Sequence, residues 1–299
     1  MSCQLTVETW WEDFKVITLE NELIEVVLMP QRGGEIHQIR WKNNGFDFLC
    51  EGRPDMPDIR VPEPNTPLTP AENAAFSNFY TMFPNAGPQQ SYLGYQYEFH
   101  GDIRSVGWEY QIWSNDEAKI ILELKATCKE LPFQLKRTVT LEHGSSSLDF
   151  KDELSHVGQV GGDRLPFIYG FHPYFSIPFL AQGTQFRVDG QTLFELPSRE
   201  EAVSKLFSVE TGPTGLVEVY NPTLKTTFRL KVDGAFLKHT WLWFVSRPDK
   251  NVYLGALIPC TNFISGQDGI NAAIANDTAL WLEPGQSRSS DWQIEVEAV

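Results

Sequence analysis

Apolar and polar residues alternate along much of this chain with a period of two, which is typical of β-strands that bury one face. The segment 133–142 is the clearest case, with apolar residues at Phe133, Leu135, Val139 and Leu141. After the turn at 143–146 the pattern returns in Leu148, Phe150 and Leu154. These segments predict paired antiparallel strands of a sandwich, with one face on a core. His143 is expected to lie in a solvated turn.

A second strand pair is predicted near the start of the chain. The apolar run 25–30 ends at the segment 31–34, which contains two glycines, and Ile36, Ile39 and Trp41 then resume the pattern. Glycines between two apolar runs are a turn signal. The segment therefore predicts a hairpin, in which His37 is an ordinary strand residue.

Strand patterns also dominate the second half of the chain. They occupy the segments 226–232, 241–245, 252–258 and 292–296. One short helix is predicted at 198–207, because Ser198 and Glu201 have the spacing of a capping box. No linker or repeat divides the chain. We therefore expect an all-β protein, a large antiparallel sandwich with few short helices, as a single domain over residues 1–299.

Prolines interrupt the strand patterns over a long segment at about 54–70. Six occur there, namely Pro54, Pro57, Pro62, Pro64, Pro67 and Pro70. Proline has a fixed φ and no backbone N–H, so neither a helix nor a central strand can hold so many. Irregular loops of this length are usually functional or disordered. We expect this loop to form a lid or rim of a site.

The charge balance narrows the class of partner. The net charge is -15, whereas proteins that bind nucleic acid or anionic membranes need a positive surface. We therefore expect a small neutral molecule as the partner, and neither nucleic acid nor a membrane. The N-terminal residues lack a basic and apolar signal segment, so a cytoplasmic location is expected.

The cysteines and histidines argue against disulfides and bound metal. The four cysteines, Cys3, Cys50, Cys128 and Cys260, lie far apart without a C-x-x-C pair, which suits a reducing compartment. The six histidines show no close pair at ligand spacing. We expect neither a metal nor another cofactor.

The titratable residue with the most suggestive surroundings is His172, in the segment 170–175, GFHPYF. Imidazole has a pKa of about 6.5, so it can give or take a proton near neutral pH. Pro173 biases His172 toward an extended conformation and so fixes the direction of the ring. A chain would present a general acid in this way. The alternative is a half-buried histidine whose nitrogens bond to the backbone.

Two other segments combine apolar flanks with polar groups: 83–85, FPN, and 99–104, FHGDIR. Sugar sites have this character, because rings cover the C–H faces and polar groups meet the hydroxyls. Each segment also has an ordinary interpretation. Asn85 could start a turn, and Asp102 and Arg104 could form a surface ion pair on a strand.

The order of these motifs resembles the aldose 1-epimerases, or galactose mutarotases. The matching elements are FPN at 83–85, HGDIR at 100–104 with Trp108 after it, GFHPYF at 170–175 and PGQ at 284–286. The resemblance extends from about residue 20 to the C-terminus. It implies an antiparallel β-supersandwich with a sugar cleft on one sheet. It also implies an isomerase that interconverts the α and β anomers of an aldohexose.

The resemblance also implies roles for particular residues. His172 would protonate the ring oxygen of the sugar, and His100 would hold the same oxygen or a neighbouring hydroxyl. The cleft would be lined by Asn85, Asp102, Arg104, Tyr174 and Trp243.

The sequence departs from the family at the catalytic base. Ile258 stands where the resemblance expects a glutamate, and Ala86 stands where many members have an arginine. Asp268, Asp102 or Asp163 could supply the base instead, whereas Glu283 lies in a turn sequence.

Two other functions stay open. A sugar-binding or sensing protein needs no base, and a hexose-6-phosphate mutarotase would use a cation such as Arg104. The particular sugar is open, as is the choice between a monomer and a homodimer.

Overall fold

The computed structural model describes residues 2–10, 14–49, 78–264 and 269–298, and most of its elements are strands. The first twelve strands are β1 (Gln4–Trp10), β2 (Phe14–Glu20), β3 (Ile24–Met29), β4 (Glu35–Trp41), β5 (Phe46–Asp47), β6 (Phe79–Met82), β7 (Gln90–Tyr92), β8 (Tyr95–Tyr97), β9 (Glu109–Asn115), β10 (Lys119–Thr127), β11 (Phe133–Glu142) and β12 (Ser147–His156). The others are β13 (Leu165–Phe167), β14 (Gly170–Pro173), β15 (Gln185–Val188), β16 (Gln191–Glu195), β17 (Val203–Glu210), β18 (Leu216–Asn221), β19 (Thr226–Val232), β20 (His239–Arg247), β21 (Val252–Cys260), β22 (Leu280–Leu282) and β23 (Ser287–Ala298). The described helices are α1 (Ile270–Ala275) and the short 3₁₀ turns Pro30–Arg32, Asp102–Ser105 and Pro248–Lys250.

Two large antiparallel sheets contain most of these strands. Within the four described ranges, one sheet has ten strands in the order β1-β2-β3-β4-β6-β14-β21-β20-β17, with β5 beside β4. The other has nine strands in the order β16-β15-β18-β19-β23-β12-β11-β10-β9. The pairs β13-β22 and β7-β8 form small separate sheets. The expected all-β, antiparallel fold class with few short helices is confirmed.

The strands β11 and β12 show how the sequence pattern produces the core. Burial alternates along β11, and the residues predicted to be apolar and inward-facing are buried. The register pairs Leu135 with Leu154 and Val139 with Phe150. Arg137 lies on the same inward face, opposite Asp152. The pattern of apolar residues alone did not predict that this face carries two charged side chains.

The central strands β6 and β14 place one face on the core and the other on the outside of the ten-stranded sheet. Thr81 faces inward, because its Oγ1 accepts a hydrogen bond of 2.8 Å from Arg137 on β11. Phe171 also faces inward, with its ring centroid 4.1 Å from that of Trp292 on β23. Successive side chains of a strand point to opposite faces. Tyr80 and His172, which are register partners, therefore share the outer face.

The predicted hairpin near the start of the chain is confirmed as β3 and β4, with the 3₁₀ turn Pro30–Arg32 between them. Gly33 follows this turn with φ of 67°. A Cβ on Gly33 would lie 2.1 Å from the backbone oxygen of Arg104, so only glycine fits there. The strands predicted in the second half of the chain are also present, as β19, β20, β21 and β23.

The helix predicted at 198–207 is wrong, because this segment forms a turn followed by β17. The capping-box contacts exist, since the backbone N–H of Ser198 donates to Glu201 Oε1 at 3.3 Å. The chain then pairs with β20, from Val203 opposite Ser246 to Glu210 opposite His239. The core packs against Val203, Phe207 and Val209, which lie on one face of a strand. This packing outweighs the local helix signal.

Some expectations concern residues that lie outside the described ranges. Cys3, Cys128 and Cys260 are buried, whereas Cys50 and the proline-rich segment at about 54–70 are not among the described residues. No described helix has the length and apolar character needed to cross a membrane.

We predict that the aromatic stack of Phe150 on β12 and Trp292 on β23, which are register partners within the nine-stranded sheet, contributes strongly to stability. Trp292 is 3% exposed, and its ring lies 3.8 Å from that of Phe150 with an interplanar angle of 6°. Trp292→Ala should lower the free energy of unfolding by about 3–5 kcal/mol, measured by urea denaturation. The exposed Trp113 offers a control, since Trp113→Ala should change stability by no more than about 0.5 kcal/mol. Equal effects of the two substitutions would contradict this account of the core.

Candidate active site

His172 stands on β14 in contact with two tyrosine rings, whose centroids are 6.2 Å apart. Its ring centroid lies 5.0 Å from that of Tyr80, with an interplanar angle of 17°, and 4.2 Å from that of Tyr174. His172 is 5% exposed. The strand pairing that fixes Tyr80 opposite His172 therefore also fixes the orientation of the imidazole.

His100 is brought to His172 by a tight backbone conformation. His100 and Gly101 both have positive φ, 56° and 79°. A Cβ on Gly101 would lie 2.0 Å from the carbonyl oxygen of Phe83, so glycine is required there. The ring centroids of His100 and His172 are 5.7 Å apart. The structure thus brings together the two histidines that the sequence suggested as catalytic.

The protonation state of His100 follows from its surroundings. Its Nδ1 accepts a hydrogen bond of 2.9 Å from the backbone N–H of Gly87, so the neutral ring carries its proton on Nε2. Burial lowers the pKa of His100 well below its usual value of about 6.5, and the nearby His172 and Arg104 lower it further. His100 is therefore neutral at neutral pH and offers an Nε2–H donor.

Arg104 lies in the 3₁₀ turn Asp102–Ser105 rather than on a strand. Its guanidinium carbon is 4.1 Å from the centroid of the Tyr80 ring, which is a cation–π contact. The residue is 3% exposed. None of its guanidinium nitrogens has a hydrogen-bond partner among the residues that the structure describes. A buried cation in this state favours an anionic ligand.

Asp102 does not form the surface ion pair with Arg104 that was one interpretation of the sequence. It is 2% exposed, and its Oδ2 accepts hydrogen bonds from the backbone N–H groups of Lys129 and Glu130, at 2.5 and 3.0 Å. Burial and the adjacent Asp102 raise the pKa of the Cys128 thiol. These contacts give Asp102 a structural role in the connection between β10 and β11.

Asn85 also has mainly structural contacts. Its Nδ2 donates hydrogen bonds of 2.9 Å to the backbone oxygens of Pro88 and Glu98. These bonds close the loop whose end carries His100. Asn85 is fully buried, and its Oδ1 has no hydrogen-bond partner within the described ranges.

Trp243 extends the row of aromatic rings beside His172. Its ring centroid is 5.7 Å from that of Tyr174, at an interplanar angle of 84°. Trp243 is half-buried on β20. Trp243 therefore offers an apolar surface against which the C–H face of a sugar ring can pack, whereas Tyr80 is 2% exposed and covered by Arg104 and His172.

The register of β14 and β21 places Ile258 directly beside His172. Gly170 pairs with Cys260, and Phe175 forms a bridge with Gly255. Both pairs fit one antiparallel register, in which residue 172 faces residue 258 on the same side of the sheet. Ile258 is 2% exposed. The residue beside the proposed acid is therefore aliphatic in the structure, as the motif order also indicated.

The alternative bases lie in different settings. Asp163 is exposed in the connection after β12, and its backbone oxygen contacts His156 Nε2 at 3.2 Å. Glu283 is exposed in a tight turn, where its N–H donates to Gln286 Oε1. Asp268 lies outside the described residues.

Tyr80 is a site residue that the sequence analysis missed, and the buried Glu35 lies beyond it on the same face of the sheet. Ile36 pairs with Phe79, so the same register sets Glu35 opposite Tyr80 on the outer face. Glu35 is fully buried and lies 3.1 Å from both Arg32 Nη2 and His37 Nδ1. The only sequence signal for Tyr80 is its position in the alternating run before FPN.

Comparison with solved structures identifies the class of fold. A candidate aldose 1-epimerase from Klebsiella pneumoniae has a TM-score of 0.73 at 16% identity, covering 97% of this chain and 81% of its own. A protein from Synechocystis sp. has a TM-score of 0.68 at 20% identity, with 95% and 96% coverage. A galactose mutarotase related enzyme from Lactobacillus acidophilus has a TM-score of 0.63 at 15% identity, with 95% and 97% coverage.

This chain therefore has the galactose mutarotase-like fold that the order of its motifs predicted. The identities are low, so the likeness concerns the fold. No family sequence model matches the chain, and neither does any curated protein.

The low pKa of His100 predicts a pH dependence of stability. Unfolding restores a pKa of about 6.5, so below this pH the unfolded chain binds a proton that the folded chain excludes. This contribution to stability is fully present above about pH 6.5 and is lost as the pH falls toward the lowered folded value. Urea denaturation between about pH 7.5 and 5.5 should show a shallower loss of stability in His100→Gln than in wild type.

The glutamine keeps an acceptor for the Gly87 N–H, so the comparison isolates the titration. His239, whose pKa burial also lowers, is present in both proteins and cancels. Equal slopes would show that the ring of His100 is solvated in the folded state.

Proposed function

We propose that this protein is an aldose 1-epimerase-like isomerase, which interconverts the α and β anomers of an aldohexose. The observation that carries the proposal is the pair His100 and His172, whose rings lie 5.7 Å apart. His172 is in contact with the rings of Tyr80 and Tyr174. A proton donor among aromatic rings is what a hexopyranose needs for binding and ring opening.

In the proposed mechanism His172 donates a proton to the ring oxygen of the sugar. The C1–O5 bond then breaks, and the C1 hydroxyl loses its proton to give the open aldehyde. Rotation about C1–C2 and the reverse steps close the ring on either face. His100 donates its Nε2–H to the ring oxygen or to a neighbouring hydroxyl. Because Ile258 cannot accept a proton, water takes the proton of the C1 hydroxyl in this scheme.

His172→Ala should remove the acceleration of anomer equilibration, by about 100-fold or more. The measurement is optical rotation of freshly dissolved α-D-glucose and α-D-galactose. His143→Ala is the matched control, because this histidine lies in an exposed turn with 53% of its side chain accessible. Undiminished anomerisation by His172→Ala would rule out His172 as the acid.

A second candidate function is sugar binding without turnover, and Ile258 is the observation that favours it. With Ile258 beside His172 the expected base is missing, whereas both histidines and the neighbouring rings of Tyr174 and Trp243 are still present. The same experiment separates the two functions. Wild type that binds hexoses, measured by calorimetry, but equilibrates them no faster than buffer would support the binding protein.

The substrate class can be narrowed by Arg104. Its buried guanidinium has a cation–π contact with Tyr80 but no described hydrogen-bond partner, which favours a sugar that carries an anionic group, such as a hexose 6-phosphate. Arg104→Met should weaken the binding of glucose 6-phosphate by about tenfold or more. Calorimetry with glucose provides the neutral comparison, and equal losses for both sugars would argue against an anion at Arg104.

A further inference from the structure

A buried ion pair lies between the two sheets, directly behind the proposed site. Arg137 and Asp152 are register partners on β11 and β12, and they are 2% and 0% exposed. Arg137 Nε donates to Asp152 Oδ1 at 2.8 Å, and Nη2 donates to Oδ2 at 2.6 Å. This is the bidentate geometry of a strong charge-assisted pair.

The pair also bonds to the two strands that carry the site. Arg137 Nη2 donates to Thr81 Oγ1 at 2.8 Å, and Thr81 is the neighbour of Tyr80 on β6. The Tyr169 hydroxyl donates to Asp152 Oδ2, and Tyr169 directly precedes β14. Burial and the Asp152 carboxylate raise the pKa of Tyr169, so its hydroxyl stays protonated. The ion pair thus holds β6 and β14 from their inner side.

Aromatic rings surround the guanidinium. Its central carbon lies 5.0 Å from the ring centroid of Trp292, 5.4 Å from that of Trp108 and 5.9 Å from that of Phe171. Phe171 precedes His172, and Trp108 Nε1 donates to the backbone oxygen of Ile103, next to Arg104. The strands β6 and β14 and, through Trp108, the turn that carries Arg104 are thus all linked to this one cation.

Stability alone does not explain an ion pair in this place. Replacing a buried pair by apolar residues of similar volume is often neutral or stabilising, whereas hydrogen bonds have directions that apolar contacts lack. Directional bonds to Thr81 and Tyr169 fix the positions of β6 and β14 relative to the second sheet. A small slip of either strand would displace the stacked rings of Tyr80 and His172.

We propose that Arg137 and Asp152, acting through Thr81 and Tyr169, are positioning residues that hold Tyr80 and His172 in place. The kinetic part of this inference rests on the proposed isomerase function, whereas the geometric part does not. Displacement of a reacting group by about 1 Å can cost about 100-fold in rate. A positioning role therefore predicts a loss in kcat without a matching change in KM.

The test uses Thr81→Val, which removes one hydrogen bond and keeps the shape of the side chain. Thr211→Val is the matched control, since Thr211 is also fully buried and its hydroxyl lies 3.1 Å from that of Thr240. Thr81→Val should lower kcat for mutarotation by about tenfold or more with KM nearly unchanged. Thr81→Ser, which restores the hydroxyl, should recover the rate.

A second readout does not depend on activity. The imidazole signal of His172, assigned through its loss in His172→Asn, is followed by NMR in protein with labelled histidine. It should move in Thr81→Val and Tyr169→Phe, but not in Thr211→Val. The double variant Arg137→Met/Asp152→Leu, which removes the partners of both Thr81 and Tyr169, should also displace this signal.

The outcomes separate the two proposals. If wild type does not accelerate mutarotation, the proposed function fails and the NMR signal alone decides the positioning role. If Thr81→Val and the double variant leave the His172 signal where it is in wild type, the network is merely structural and the inference is overturned.

Discussion

The antiparallel pairing of β6 with β14 is the constraint on which the site depends. Each strand has only two faces, and the inner face is committed to the core through Phe79, Thr81 and Phe171. The intervening residues must then point outward. Register places Tyr80 beside His172, so the packing of the core determines which side chains the outer face presents and how they are spaced.

The local electrostatics of the site differ from those of the whole chain. The chain carries a net charge of -15, which argues against polyanionic partners such as nucleic acid. At the site, burial and the nearby His172 and Arg104 lower the pKa of His100, and the buried guanidinium of Arg104 has no hydrogen-bond partner among the described residues. Because buried charges act over short distances with little screening, the global charge does not exclude a small anionic ligand at Arg104.

Two independent observations place Ile258 beside His172. The motif order placed Ile258 where the resemblance expects the base. The register of β14 and β21 is independent of the motif order, and it also sets Ile258 beside His172. This chain therefore places two histidines and an aliphatic residue next to each other on one sheet face, within the galactose mutarotase-like fold.

The sequence alone determined the all-β class and most of the predicted strands, because the alternation of apolar and polar residues can be read within each segment. The order of the motifs along the chain also suggested that His172 and His100 act together. The sequence alone misassigned the segment 198–207, where pairing with β20 outweighs a capping box. It also missed Arg137 and Asp152 on the core face, since a search for apolar periodicity passes over charged residues. Only the tertiary structure decided these positions and the structural contacts of Asp102, because each depends on a partner distant in sequence.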